Sequence, residues 1–149
     1  MPNAILMPAL LVLLAGAMTA AQPPTNAVLA KASGSPIFAA LLSFAVGTAV
    51  LIALMLALQP RLTLAPLREV PWWAWAGGFY GAFFVAVGAY AAPRLGIASL
   101  ITIAVAGQLI AASLIDHFGG FGLDRAPISP GRVLGILLVL AGVVLVRRY

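Results

Sequence analysis

Five apolar stretches follow one another along the chain, separated by short segments rich in proline, glycine or charged residues. A helix of roughly 20 apolar residues crosses a bilayer core about 30 Å thick. Each stretch reaches that length, the last one only when its flanking residues are counted. The pattern predicts an all-α membrane protein with one five-helix transmembrane domain over residues 1–149. The approximate spans are 4–31, 37–58, 72–92, 97–116 and 129–148.

The segments between the spans contain residues that favour turns. Residues 33–36 read Ser-Gly-Ser-Pro and predict the first turn, and residues 92–96 read Ala-Pro-Arg-Leu-Gly and predict a second, tighter one. Ser129 is a predicted N-cap of the fifth helix, because Pro130 follows it at the first helical position. Arg147 and Arg148 can extend toward the membrane surface, which lets the short fifth segment span.

Composition excludes several classes of protein. Hydrophobic residues make up 64% of the chain and charged residues 7%, against roughly 25% charged residues in a typical soluble domain. The eight Lys and Arg residues are scattered, which argues against nucleic-acid binding. No Lys or Arg precedes the first stretch, so we expect a membrane span there and not a cleaved signal peptide.

The basic residues divide evenly between the two sides of the membrane. Orientation normally follows an excess of Lys and Arg in the cytoplasmic loops, and five spans place the termini on opposite sides. No such excess exists, so we predict that the chain inserts in both orientations and pairs antiparallel with a second copy. The residues on the N-terminal side are Arg61, Arg68, Arg125 and Arg132, and those on the opposite side are Lys31, Arg94, Arg147 and Arg148.

Polar residues inside the membrane are costly, so each is a candidate for function. Gln22 and Asn26 are four residues apart and share a face if the first helix continues past residue 21. Pro23 and Pro24 lie between them and predict a kink or local unwinding. Broken helices expose backbone groups that bind solutes in transporters. Alternatively, Gln22 and Asn26 merely end the helix.

Polar and aromatic residues in the later spans complete a candidate substrate-binding set. Gln108 lies near the middle of the fourth span, where solute contact and an interhelical hydrogen bond are equally consistent with its position. Ser43 and Thr48 are the polar residues of the second span, and Tyr80 is a candidate cavity-lining residue or a lipid-facing one. The candidate substrate-binding residues are Gln22, Asn26, Ser43, Thr48, Tyr80 and Gln108.

The titratable groups lie away from the middle of the membrane. Asp116 and His117 stand at the end of the fourth span, where they either relay protons or form a solvated helix end. No acid lies at mid-membrane depth, so we expect a neutral or zwitterionic solute, or coupling through Asp116. The chain offers too few ligands for a metal site. It also lacks the nucleophile–base pair of an intramembrane enzyme, and we expect neither an enzyme nor a cofactor.

Glycines recur at spacings that create smooth helix faces. Gly77, Gly81 and Gly88 occur in the third span, and Gly131 and Gly135 occur at the start of the fifth. Small residues let helices approach closely in membranes. These glycines therefore predict helix packing or a dimer surface.

An ordered set of motifs runs through nearly the whole chain, from about residue 16 to residue 148. It resembles the YdcZ-like, half-size members of the drug/metabolite transporter (DMT) superfamily, although the Pro-Pro pair inside the first motif looks unusual for them. The motifs are Gln-x-x-x-Asn at 22–26, Gly-Ser-Pro at 34–36, Leu-Ser-Phe-x-x-Gly-Thr at 42–48, Gly-Gly at 77–78, Gly-Ala-Phe-Phe-Val at 81–85, Ala-Pro-Arg-Leu-Gly at 92–96, Ala-Gly-Gln at 106–108, Asp-His-Phe-Gly at 116–119 and Ser-Pro-Gly-Arg at 129–132.

The resemblance implies a bacterial inner-membrane transporter in which one chain supplies one five-helix half of a DMT-type inverted repeat. Function would then require a second copy or a paralogous five-helix chain, which agrees with the even charge division. We expect a secondary transporter of a small organic solute that works by alternating access, with the site between antiparallel protomers. The alternative is a non-transporting membrane scaffold or accessory subunit, although the short loops offer little surface to a soluble partner.

Overall fold

The computed structural model of the protein describes residues 3–58 and 65–149. Five α-helices contain most of them, and short 3-10 helices cover Ala65–Glu69, Trp72–Ala76 and Gly120–Gly122. Arg61, which the charge count assigns to the N-terminal side, lies outside the described residues. The α-helices are α1 (Asn3–Ser33), α2 (Pro36–Leu58), α3 (Gly77–Leu95), α4 (Ile97–Phe118) and α5 (Pro130–Arg148).

Within the described residues, five helices are long and apolar enough to cross a membrane. The predicted five-helix fold is therefore confirmed, with bounds close to those that hydropathy indicates. Long apolar side chains are mostly exposed, as expected when lipid surrounds them. The chain divides into two compact units, residues 1–94 (unit 1) and residues 95–149 (unit 2).

The first helix continues through its internal prolines. α1 is helical from Asn3 to Ser33 and includes Pro23 and Pro24, so the local unwinding predicted there does not occur. A proline ring inside a helix needs space beside it, and α3 provides that space. A methyl group on Gly88 would lie 3.5 Å from the Pro23 ring. That distance is an ordinary van der Waals contact, so α3 packs close to Pro23 at Gly88 without requiring glycine there.

The turn between α3 and α4 is shorter than predicted. α3 continues through Pro93 and ends at Leu95, and α4 begins at Ile97. Gly96 alone makes the turn, with a φ of 76° that side-chain-bearing residues rarely adopt. The prediction of a turn over residues 92–96 was wrong in its length, because Pro93 stays helical in the last turn of α3.

The start of α5 agrees with the predicted cap. Ser129 has an extended backbone, and its hydroxyl accepts a hydrogen bond from the backbone N–H of Arg132 at 3.3 Å. Pro130 follows at the first helical position, where its missing N–H costs no helical hydrogen bond. The serine cap and the proline together define where the shortest span begins.

Candidate functional site

A cavity of about 310 Å³ lies in unit 1 between α1, α2 and α3, and we call it the central cavity. Its polar side chains are Gln22 of α1 and Ser43 and Thr48 of α2, three of the six predicted substrate-binding residues. The amide supplies donors and an acceptor, and each hydroxyl supplies one donor and two acceptor positions. The rest of the wall consists of Phe44, Gly47, Leu51, Gly81, Phe84 and Val85.

The central cavity lies at the middle of the membrane-spanning segment. Gly47 borders the cavity and is the midpoint of α2, which runs from Pro36 to Leu58. Eleven residues separate Gly47 from either end of that helix, about 16 Å at 1.5 Å per residue. Polar groups at this depth have no bulk water to bind, so those that line a cavity stay candidates for solute contact.

Close approach of α2 and α3 forms one wall of the central cavity. A methyl group on Gly81 would lie 3.2 Å from Cζ of Phe44, closer than an ordinary van der Waals contact. Glycine at this position therefore lets the Phe44 ring lie against the backbone of α3. Gly81, predicted as a packing residue, borders both the helix contact and the cavity.

Asn26 lies one helical turn beyond Gln22 and does not line the central cavity. Its exposed fraction is 3%, so it is one of the most buried polar residues among those described. Its amide nitrogen Nδ2 has no hydrogen-bond partner among the residues that the structure describes. An unpaired buried donor costs about 1–3 kcal/mol, so this amide is a place where a ligand acceptor would be stabilised.

Two predicted binding residues lie outside the central cavity. Tyr80 is exposed, and its ring makes an edge contact with Phe79 at 6.2 Å between the ring centroids. Gln108 belongs to α4 in unit 2 and is exposed there. Solute contact by Tyr80 or Gln108 therefore stays a prediction. The other four candidates belong to α1 and α2 and lie in or beside the central cavity.

In unit 2, Asp116 is the centre of a set of hydrogen bonds that fastens the α4–α5 connection. Its carboxylate accepts a hydrogen bond from the Arg132 guanidinium at 3.1 Å, and its backbone carbonyl accepts from the Ala126 N–H at 2.8 Å. The same guanidinium donates to the Ala126 carbonyl at 3.3 Å. Asp116 thus joins the end of α4 to the start of α5.

His117 fastens the same connection from the next position. Its Nδ1 accepts a hydrogen bond from the Ile128 N–H at 3.2 Å, and its backbone carbonyl accepts from Nε of Arg125 at 3.4 Å. Gly119 ends α4 in the left-handed conformation, which turns the chain back toward these partners. Asp116 and His117 therefore have structural partners, and their proposed part in proton coupling stays a prediction.

The remaining predicted packing glycines have open surroundings. A methyl group on Gly77 or Gly135 would meet nothing within 4 Å, and one on Gly131 would meet only the Ser129 hydroxyl, at 3.9 Å.

Sequence reasoning did not identify Leu51 and Val85 as part of the cavity wall. Nothing distinguishes these two apolar residues from the other apolar residues of their spans, so no sequence signal was available.

Comparison with known proteins gives a family for this architecture. A family model described as "Putative inner membrane exporter, YdcZ" matches residues 7–145. The chain is also similar to "Inner membrane protein YdcZ" of Escherichia coli (strain K12), with 30% identity over 120 residues that cover 79% of each protein. No solved structure matches the chain. The five spans and these matches confirm the family resemblance and a multi-pass location in the inner membrane. The chain belongs to the YdcZ family of inner-membrane proteins.

Proposed function

We propose that the chain is a DMT-type secondary transporter that moves a small organic solute across the bacterial inner membrane. The observation that supports this most is the central cavity, where Gln22, Ser43 and Thr48 meet at mid-membrane depth in an otherwise apolar wall. Small-molecule sites are typically apolar pockets with a small number of polar groups at defined positions. The description of the matched family as an exporter points to the same activity.

The solute is neutral or zwitterionic. The polar groups of the central cavity are one amide and two hydroxyls, and no carboxylate is among its lining residues. A lone organic cation would lose its hydration at this depth without gaining a counter-ion, which is unfavourable in a low dielectric. Amide and hydroxyl groups can instead replace the water around a neutral or internally balanced solute.

The transporter works as an antiparallel dimer by alternating access, with the solute between protomers. Gln22, Gly47 and Thr48 border the central cavity and remain exposed in the single chain, so a second copy can cover them. The open faces of Gly77 and Gly135 offer smooth contact surfaces. In an antiparallel pair, the inward-open and outward-open forms are one structure viewed from opposite sides of the membrane.

Proton coupling through Asp116 and His117 is part of this proposal. Coupling would require Asp116 to exchange its Arg132 partner for a proton during the transport cycle. The variant Asp116→Asn keeps the size of the side chain and cannot ionise. Transport that keeps its pH dependence in this variant would remove Asp116 as the coupling group.

Solute flux into proteoliposomes tests the proposed function. The purified full chain is reconstituted and supplied with a panel of amines, amino acids, sugars and drugs, with protein-free liposomes as the control. We expect at least one neutral or zwitterionic solute to cross faster than in the control. If no solute crosses and the purified chain stays bound to another protein, the accessory-subunit alternative replaces this one.

Two further measurements test the dimer. The protein mass in detergent, corrected for bound detergent, is expected to equal that of two chains. Reporters fused to the C terminus are expected to give signal from both sides of the membrane, because the basic residues are evenly divided. Signal from a single compartment would contradict dual topology.

A further inference from the structure

A second and larger cavity, of about 570 Å³, lies in unit 1 where α1 and α3 end and α2 begins. We call it the end cavity. Most of its wall is apolar, with Ala30 from α1, Pro36 from α2 and Ala89 from α3. Its charged groups are Lys31 and Arg94, and no carboxylate is among its lining residues. The end cavity and the central cavity are thus built by the same three helices.

Asn26 stands between the two cavities along α1. Gln22 lines the central cavity and Ala30 lines the end cavity, and each is four residues from Asn26. Four residues of α-helix correspond to about 6 Å along the axis. Residues four apart also share one face of the helix, so these three form a single stripe that leads from one cavity to the other.

The other two helices are also buried between their cavity-lining stretches. On α2, Ala39 and Ala40 lie between those stretches and have exposed fractions of 0% and 5%. On α3, Val85 borders the central cavity, Ala89 borders the end cavity, and the buried Gly88 lies between them. Each of the three helices therefore has buried residues between its two cavity-lining stretches, and we call these residues, Asn26, Ala39, Ala40 and Gly88, the neck.

The one polar group of this neck is an unpaired donor. Asn26 is 97% buried by its own chain, and Nδ2 has no acceptor among the described residues. A lipid or a second copy cannot reach a side chain that the chain itself covers. Asn26 lines neither cavity, so an acceptor that passes from one cavity to the other would meet it only when the helices separate, and the acceptor would then remove the cost of the unpaired N–H.

The end cavity carries positive charge that no carboxylate balances. The Arg94 guanidinium lies over the Tyr90 ring, 3.7 Å from the ring centroid, and donates to the Tyr90 carbonyl. These contacts hold its charge at the cavity wall, while the Lys31 ammonium has no ion-pair partner among the described residues. A cavity with apolar walls focuses such a field, which attracts anionic groups and repels cations.

From these observations we propose that the end cavity, Asn26 and the central cavity form one path for a solute that bears a carboxylate. Lys31 and Arg94 attract the carboxylate, the Asn26 amide donates to it at the neck, and Gln22, Ser43 and Thr48 bind the rest of the solute. This rests on the proposed function and narrows its solute class to zwitterions that bear a carboxylate, for which a simple carboxylate serves as a probe. It assigns the end cavity as the access route to the central cavity.

Binding of three probes with one carbon skeleton tests the charge preference. Benzoate, benzamide and benzylamine are titrated at neutral pH into the purified full chain in a non-ionic detergent, by calorimetry. We expect benzoate to bind roughly tenfold more tightly than the other two, the difference that one charge-assisted hydrogen bond supports. Tighter binding of benzylamine, or no binding of benzoate, would overturn the proposal.

Paired substitutions test the residues. In Lys31→Gln with Arg94→Gln, we expect the preference for benzoate to disappear. The matched control is Arg147→Gln with Arg148→Gln, which removes the same charge from a surface of unit 2, and it is expected to bind benzoate like the unchanged chain. Equal losses in the two pairs would show that net charge and not the end cavity sets the preference, which overturns the proposal.

Substitution of Asn26 separates binding from folding. Asn26→Leu removes the unpaired donor at similar volume, and we expect benzoate binding to be lost while the melting temperature rises. Asn26→Asp keeps the shape of the side chain and replaces the N–H donor by a carboxylate acceptor. In this variant we expect benzylamine to bind more tightly than benzoate. Unchanged benzoate binding in a folded Asn26→Leu would overturn the path through the neck.

A lipid is the competing occupant of the end cavity, and phosphatidylglycerol is the probe for it. If this lipid displaces benzoate and Asn26→Leu still binds benzoate normally, the end cavity is a headgroup site and the path is wrong.

The outcomes also separate this proposal from the proposed function. Flux of neutral solutes without benzoate binding keeps the transporter and rejects the path. The expected binding pattern without flux of any solute keeps the carboxylate-binding residues and contradicts the transporter.

Discussion

The polar side chains of the two units differ in whether they have hydrogen-bond partners within the chain. In unit 1, Gln22 and Thr48 line a cavity, and the buried Asn26 amide nitrogen has no partner within residues 3–58 and 65–149. In unit 2, Asp116 pairs with Arg132 and His117 accepts from the backbone of the α4–α5 connection. Both sets include residues within or at the ends of membrane-spanning helices, so membrane position alone does not separate them.

This difference shows how the structural and solute-binding roles of polar membrane residues can be distinguished. Partners within the chain satisfy the polar groups of the α4–α5 connection, so those groups stabilise the fold without any ligand. The polar groups around the central cavity have room beside them, and Asn26 has an unmet donor. The hydrogen bonds of unit 2 hold α4 to α5, and the cavity-lining polar groups of unit 1 are the ones for which we propose solute contact.

Gly119→Ala is expected to produce the largest change in stability. Gly119 has a φ of 65°, and a methyl group there would lie 2.6 Å from Cγ of Arg125 and 3.1 Å from the Leu123 carbonyl oxygen. The left-handed conformation alone disfavours alanine by about 1–2 kcal/mol. We expect the free energy of unfolding to fall by about 2 kcal/mol, measured by thermal unfolding in detergent.

Gly107→Ala is the matched control for that substitution, since it lies within α4 and a methyl group there would meet nothing within 4 Å. Alanine favours a helix over glycine by about 1 kcal/mol, so this control is expected to stabilise the protein slightly. If Gly119→Ala left the free energy of unfolding unchanged, the α4–α5 connection would not have the tight geometry described for unit 2.

Asn26→Leu is expected to stabilise the ligand-free protein. The substitution removes a buried donor that has no partner and leaves an apolar side chain of similar size. We expect a gain of about 1 kcal/mol in the free energy of unfolding, measured in the same way. A loss of that size would show that Asn26 has a hydrogen-bond partner in the protein. The polar groups of unit 1 would then be satisfied within the chain, like those of unit 2.

Asp116→Asn is expected to have the smallest effect on stability. The side chains of Asp116 and Arg132 are 41% and 40% exposed, and ion pairs at that exposure contribute up to about 1 kcal/mol. We expect a loss of about 0.5 kcal/mol, and a similar loss for Arg132→Gln. A double-mutant cycle measures the pair directly, and a coupling energy of zero would contradict the assigned role.

The five helices and the start of α5 were predictable because they depend on local sequence. Length and hydropathy define a span, and the Ser129 hydroxyl caps the backbone three residues away. Of the kink or unwinding predicted at Pro23 and Pro24, the unwinding was wrong and the kink stays a prediction, and the turn predicted around Pro93 was too long for a related reason. Proline disfavours a helix interior locally, but tertiary packing and the membrane decide whether the helix continues.

The candidate site was predictable only in part. Gln22, Ser43 and Thr48 were identifiable because polar residues are rare at mid-membrane depth, and the structure places them around one cavity. The hydrogen bond from Ile128 to His117 joins positions 11 residues apart through the backbone, which no residue pattern indicates. The sequence did not identify Lys31 and Arg94 as binding residues, because the cavity that they share depends on the packing of three helices.

The central claim, that the polar groups of the central cavity contact the solute, is tested most directly by comparing flux in Thr48→Val and Thr19→Val. Both changes replace one hydroxyl by a methyl group, but Thr48 lines the central cavity, whereas the Thr19 hydroxyl donates to the Ala15 carbonyl at 2.8 Å. With a solute that crosses in the panel, we expect flux through Thr48→Val to fall roughly five- to tenfold, the effect of one lost hydrogen bond. Flux through Thr19→Val should stay unchanged, and equal flux in both variants would contradict the account.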